Sequence, residues 1–215
     1  DVDNDGDNDL FVGGLSDAAK FGSIQDSYLL INDGKGKFVK APQTYINLSK
    51  PGIVTNAQFT DVNKDGYKDL VVVGEWMPIT IFINKKDRFE KQIIPNSSGL
   101  WQCVFADDVD KDGNMDLLVG NWGHNTKFWS LKTPPLRLYV SDFDGNGITD
   151  HMLSYVIDGV EYPYFNKDMI EWPVPILKKK FLHYRDYAGK PIHELFPDWL
   201  KNITPLVAER MGSAV

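Results

Sequence analysis

The chain begins Asp1-Val2-Asp3-Asn4-Asp5-Gly6-Asp7-Asn8-Asp9, with five carboxylates in one short stretch. Charges crowded this closely repel one another at neutral pH, and such a stretch does not compact on its own. It is either a solvated acidic segment or a set of ligands gathered by a cation. The same layout returns at Asp61-Val-Asn63-Lys-Asp65-Gly-Tyr67-Lys-Asp69 and at Asp108-Val-Asp110-Lys-Asp112-Gly-Asn114-Met-Asp116. A fourth copy is Asp142-Phe-Asp144-Gly-Asn146-Gly-Ile148-Thr-Asp150. In every copy, places one, three, five and nine carry Asp or Asn, and place six is Gly. Half of the chain's 30 acidic residues fall in these four nonamers, so the charge is not a diffuse surface coat.

The spacing suits a hard divalent cation. Ca²⁺ takes about six to eight oxygens at roughly 2.3–2.6 Å. Side chains at places one, three and five of a tight loop converge, which nominates Asp1, Asp3, Asp5, Asp61, Asn63, Asp65, Asp108, Asp110, Asp112, Asp142, Asp144 and Asn146. Place seven supplies a backbone carbonyl, so its identity is free: Asp7, Tyr67, Asn114, Ile148. Place nine closes the shell as the next strand starts, through Asp9, Asp69, Asp116 and Asp150. Gly at place six permits the sharp turn. An EF-hand shares this ligand logic but needs Glu at place twelve and a helix after it. Here place twelve is Val12, Val72, Val119 or Leu153. The alternative is an acidic turn that holds no metal, and the fourth loop, with Gly145 and Asn146, is the weakest copy.

The elements that must carry these loops read as strands. Leu10-Phe-Val12, Leu70-Val-Val-Val73 and Leu117-Leu-Val119 are short, apolar and bounded by Gly. Ala57-Gln-Phe59 and Val104-Phe105 precede the second and third loops. Hairpins are expected at Tyr28–Asn32 with Lys37–Val39 across Asp33-Gly34, at Ile79–Ile83 with Phe89, and at Met152–Val156 with Val160–Tyr162 across Asp158-Gly159. Loop plus strands give about four strands per unit, in the range of a propeller blade. Leu136–Val140 reads as the third strand of unit three, running into the fourth loop. The expected fold is therefore mainly β: about three blades and part of a fourth over residues 1–165. A helical insertion or extension then spans 166–215, ahead of a next blade not in the chain. Its signals are Pro175–Tyr184, the stripe Ile192, Leu195, Phe196, Trp199, Leu200, and Thr204-Pro205 as a helix cap. The stripe reads as packing against the sheets.

Composition sets outer bounds. The 215 residues carry a net charge of -7, which argues against nucleic acid as partner. The run Lys178-Lys179-Lys180 reads as a solvated helix face. One cysteine, Cys103, excludes an intrachain disulfide and reads as a small core residue. No apolar run of about 18 residues exists to span a membrane. The chain starts inside a motif and without Met, and reads as a piece of a longer protein.

The stretches Asp1–Gly14, Asp61–Glu75 and Asp108–Gly123 resemble the FG-GAP/VCBS repeat, the calcium-loop blade of integrin-α-type β-propellers. Leu117–Gly123, Pro135–Gly147, Leu177–Phe181 and Asp186–Ala188 are similar to secreted bacterial proteins of the cartilage-acidic-protein-like, ASPIC/UnbV-associated group. The Phe-Gly…Gly-Ala-Pro signature is not intact; Phe21-Gly22 is its one trace. The resemblance implies an extracellular or cell-surface propeller, bacterial outer membrane or periplasm included, that uses Ca²⁺ structurally. It would bind a protein or glycan ligand on a propeller face.

Three functions follow from these residues. The first is non-enzymatic binding or adhesion. The second is a polysaccharide lyase or hydrolase on a propeller scaffold. Its candidates are His124 in Asn121-Trp-Gly-His-Asn125, His151, His183 and His193, with Trp122 and Trp129 able to stack on a sugar; no His has a partner at motif spacing. No nucleophile elbow, P-loop, paired Cys or HExxH is present. The third is a structural part of a larger secreted or surface assembly. Sequons at Asn47, Asn96 and Asn202 matter only in a eukaryotic secretory route.

Overall fold

A computed structural model describes residues 1–17, 20–126 and 136–215. Its described elements are strands β1 (Leu10–Val12), β2 (Tyr28–Asn32), β3 (Phe38–Lys40), β4 (Ile53–Thr60), β5 (Asp69–Met77), β6 (Thr80–Asn84), β7 (Phe89–Ile93), β8 (Gly99–Asp107), β9 (Asp116–Asn121), β10 (Leu136–Ser141), β11 (Asp150–Ile157), β12 (Val160–Pro163) and β13 (Leu206–Ala208). Helices α1 (Lys167–Glu171), α2 (Leu177–Lys180), α3 (Ile192–Leu195) and α4 (Pro197–Leu200) lie between β12 and β13. The molecule is thus mainly β, and its blades stand as open sheets, a partial propeller.

The second, third and fourth acidic nonamers are the turns of antiparallel pairs. Thr60 faces Asp69 across the second, Asp107 faces Asp116 across the third, and Ser141 faces Asp150 across the fourth. The first sheet runs β1-β2-β3. The second joins blades two and three: β4 pairs β5, and the order continues β7-β6-β5-β8-β9. The join is short, Glu75 opposite Leu100 and Met77 opposite Gly99. Inner strands β4 and β8 also meet through side chains. Thr55 Oγ1 donates to the Trp101 carbonyl at 2.8 Å, and Gln58 Oε1 accepts from the Ala106 N–H at 2.8 Å. The run Leu70–Val73 is fully buried because blade one packs on one face and blade three on the other.

Two expectations about elements are corrected. Leu136–Val140 is not the third strand of unit three. As β10 it pairs with β11 across the fourth loop and so opens a fourth unit, ordered β12-β11-β10-β13. Thr204-Pro205 does not start a helix. The residues after it, Leu206–Ala208, extend along the free edge of β10 as β13, where backbone pairing and burial of Ala208 win over the Pro signal.

The helical residues do hold the expected stripe, but Pro197 cuts it into α3 and α4. Ile192, Leu195, Phe196 and Leu200 are buried with Tyr139, Phe143 and Met152 of the fourth sheet, and Trp199 stacks on Phe143. Glu161, on β12, anchors the same contact. It accepts from Tyr139 Oη (3.0 Å), Ser154 Oγ (2.5 Å) and Arg137 (2.9 Å), and lies 3.1 Å from His193 Nε2 on α3.

The tail after β13 returns to blade three. Ala214 and Val119 exchange both backbone hydrogen bonds, at 3.0 and 2.9 Å, and the Gly123 N–H donates to the Met211 carbonyl at 2.7 Å. Cys103 is exposed rather than core: the β8–β9 register slips between Trp101 and Cys103, so Gln102 and Cys103 both face out before Val104 turns in.

Candidate metal centres

The four loops share one backbone path. Place four is left-handed at Asn4 (φ 62°), Lys64 (61°), Lys111 (62°) and Gly145 (74°). Place six is left-handed at Gly6 (95°), Gly66 (87°), Gly113 (88°) and Gly147 (85°). Open space surrounds Gly6, Gly66 and Gly147, so conformation, not crowding, demands glycine there.

They also share one set of hydrogen bonds. The place-one carboxylate takes the place-six N–H: Asp1 from Gly6 at 3.2 Å, Asp61 from Gly66 at 2.9 Å, Asp108 from Gly113 and Asp142 from Gly147 at 2.8 Å. Place three accepts from the place-five N–H at Asp3 (3.4 Å), Asn63 (3.0 Å), Asp110 (3.0 Å) and Asp144 (3.2 Å). Place five accepts from place seven at Asp5 (3.1 Å), Asp65 (2.9 Å), Asp112 (2.7 Å) and Asn146 (2.7 Å), the donors being the N–H groups of Asp7, Tyr67, Asn114 and Ile148. Each link turns a side chain back into its own loop.

Place nine behaves differently. Its Oδ2 accepts from the place-two N–H in all four loops: Asp9 from Val2 (2.7 Å), Asp69 from Val62 (2.9 Å), Asp116 from Val109 (3.0 Å) and Asp150 from Phe143 (3.1 Å). The second oxygen of Asp9 takes the Asn32 N–H at 3.0 Å, and that of Asp69 the Asn84 N–H at 2.8 Å. Place nine therefore latches the loop to the strands. The sequence reading missed this job and also missed Asn84, which is fully buried and donates to the Val2 carbonyl at 2.6 Å, tying the first loop to blade two.

Carboxylates converge in three loops. One oxygen each from Asp1, Asp3 and Asp5, from Asp108, Asp110 and Asp116, and from Asp142, Asp144 and Asp150 lies within 4.8 Å of its fellows. The second loop is not among these groups; its third place is the amide Asn63. The donor set fits Ca²⁺ by a further mark. Among the described residues, five buried side-chain oxygens lack a hydrogen-bond partner; Tyr45 Oη and Glu171 Oε1 lie elsewhere, and the other three, Asp1 Oδ1, Asp7 Oδ1 and Asp108 Oδ1, are on these loops. A buried anionic oxygen left unpaired is costly, and a cation is what satisfies it.

Electrostatics divides the carboxyls. Burial pushes Asp69 and Asp150 above the ordinary 3.8, outweighing their backbone N–H partners. Desolvation, then Asp5, Asp9 and Asp3, push Asp7 up as well. Asp61 is lowered: its desolvation is more than offset by the N–H groups of Gly66, Asp65, Lys64 and Asn63 together. Asp112 is lowered chiefly by the backbone and side-chain N–H groups of Asn114.

The histidines do not assemble. His151 Nε2 lies 2.6 Å from the Phe21 carbonyl, His193 meets Glu161, and His124 packs beside Gly212. Trp122 is half exposed, and Trp129 lies outside the described residues. Away from the loops, an open cavity of about 720 Å³ is lined by Leu15, Phe21, Ile53, Thr55, Glu75 and Gln102.

The family profile of the FG-GAP-like repeat matches residues 1–72 and 61–119. No curated protein matches the chain, and no solved structure does.

Proposed function

This chain belongs to the FG-GAP-like repeat family, and we propose that it is a calcium-stabilised propeller module outside the cytoplasm, binding a protein or glycan rather than catalysing a reaction. Repeats of this family are typical of extracellular and surface proteins, and no helix among the described residues is long and apolar enough to cross a membrane. The observation that carries calcium is the pair of unpaired buried oxygens on Asp1 and Asp108, each at place one of its loop. In this reading the cation draws Asp1, Asp3, Asp5 and Asp7 together in loop one, Asp9 adding the lone pairs that its latch leaves free, with the matching residues of the other loops acting alike. Its task is structural: it cancels repulsion at the turn that joins a blade's first two strands. Affinity at the weak end, about 10⁻⁴–10⁻³ M, suits calcium levels outside cells. For the partner, the cavity beside the inner strands offers a concave face with both apolar and polar lining.

Thermal melts in chelator, in millimolar Ca²⁺ and in Mg²⁺ test the proposal. At millimolar Ca²⁺ and dissociation constants of this size, each site adds about 0.4–1.4 kcal/mol. A clear rise in Tm with Ca²⁺, and a smaller one with Mg²⁺, is expected, since Mg²⁺ demands near-ideal octahedral geometry and gives up its waters reluctantly. Identical melts in all three buffers would sink the calcium reading.

A further inference from the structure

Place four is not a ligand position, yet in loops one and two it reaches the next loop. Its left-handed backbone is shared by Asn4, Lys64 and Lys111. Asn4 Nδ2 reaches out of loop one and donates to the Gly66 carbonyl of loop two at 3.2 Å. Lys64 makes the next step. Its ammonium sits over loop three, where a Cβ built on Gly113 would stand 3.7 Å from Nζ. Loop three concentrates Asp108, Asp110, Asp112 and Asp116, and Asp108 Oδ1 is one of the unpaired buried oxygens.

We propose that Lys64 of loop two is a built-in counter-ion for loop three: it relieves carboxylate repulsion while no metal is bound and opposes the entry of Ca²⁺. The inference rests on the reading of the loops as calcium sites. A unit positive charge held beside the loop, in water-like surroundings, weakens the binding of a divalent ion on the order of three- to tenfold. Loop two thereby sets the calcium threshold of loop three without any change of fold.

The test is a calorimetric Ca²⁺ titration of the wild type, Lys64→Gln and Lys64→Arg, with melts of each in chelator and in saturating Ca²⁺. Asp110→Asn/Asp112→Asn marks which binding step belongs to loop three. Lys64 is exposed, so its variants fold. Lys64→Gln should tighten the loop-three step about three- to tenfold, lower Tm in chelator and raise Tm in Ca²⁺; Lys64→Arg should behave like the wild type. The tightening should vanish when loop three is disabled. Calcium binding that is the same in the wild type and Lys64→Gln would overturn this inference and leave the calcium reading standing. Absence of calcium binding in every protein would overturn both.

Discussion

Within each loop, polar atoms divide between holding the turn and facing a cation. Asp69 illustrates the first task. It is fully buried, and both oxygens are spent on backbone N–H groups. Asp69→Asn keeps the shape but turns an amide N–H towards a backbone N–H, so a loss of about 2–3 kcal/mol is expected in denaturant unfolding, with or without calcium. Asp110→Asn should instead leave stability in chelator nearly unchanged and reduce the calcium-induced rise. The carboxyl shifts predict a pH profile for the metal-free protein. Asp69 and Asp150 have raised values in the fold, so the folded state holds their protons more tightly, and stability falls as pH rises from 3.8 through those values. Asp61 and Asp112 are lowered, so their contribution is lost as pH falls from 3.8 through theirs. Melts in chelator should therefore peak near the ordinary carboxylate value and decline towards neutrality. Calcium should remove the decline, and a chelator profile that climbs steadily to pH 7 would contradict this assignment. The ligand spacing is readable from residue types, because places one, three and five must be oxygen donors. The latch is not, because its partner is the N–H of Val2, Val62, Val109 or Phe143, a group every non-proline residue owns.

At the scale of elements, strands were legible wherever apolar runs met a turn signal. Asp33-Gly34 and Asp158-Gly159 do form the hairpins β2–β3 and β11–β12. What the sequence hid was ownership. Nothing local tells whether Leu136–Val140 closes one unit or opens the next; the answer lies in pairing with β11, a tertiary fact. Leu206–Ala208 is likewise a strand only because β10 leaves an edge free. The helical residues are bound into that same unit, which a cavity can reveal. Ile192 is fully buried. Ile192→Ala should cost about 2–5 kcal/mol and raise amide exchange in β10 and β11 along with α3. Exchange confined to the helices would show that they fold apart from the sheet.

For the whole molecule, the open sheets leave edges. β3 is the plainest case: Phe38, Val39 and Lys40 are all exposed, with Val39 at 56%. Exposed strand edges recruit further strands, from another copy or from another part of a parent protein. Sedimentation should show mass rising with concentration, and Val39→Lys should suppress it. A constant monomer mass for the wild type would remove the expectation. The pairing of Ala214 with Val119 has a different consequence. The chain leaves blade three at Gly123 and comes back at Met211, and these two residues already touch through one hydrogen bond. The fourth sheet does not hang from that point alone: Leu136 and Ala208 are buried against Leu100, and His151 reaches the Phe21 carbonyl of blade one. Entry and exit thus share one threshold while the faces behind it are mortared to the neighbouring blades, so a change on those faces is felt beyond the unit that carries it.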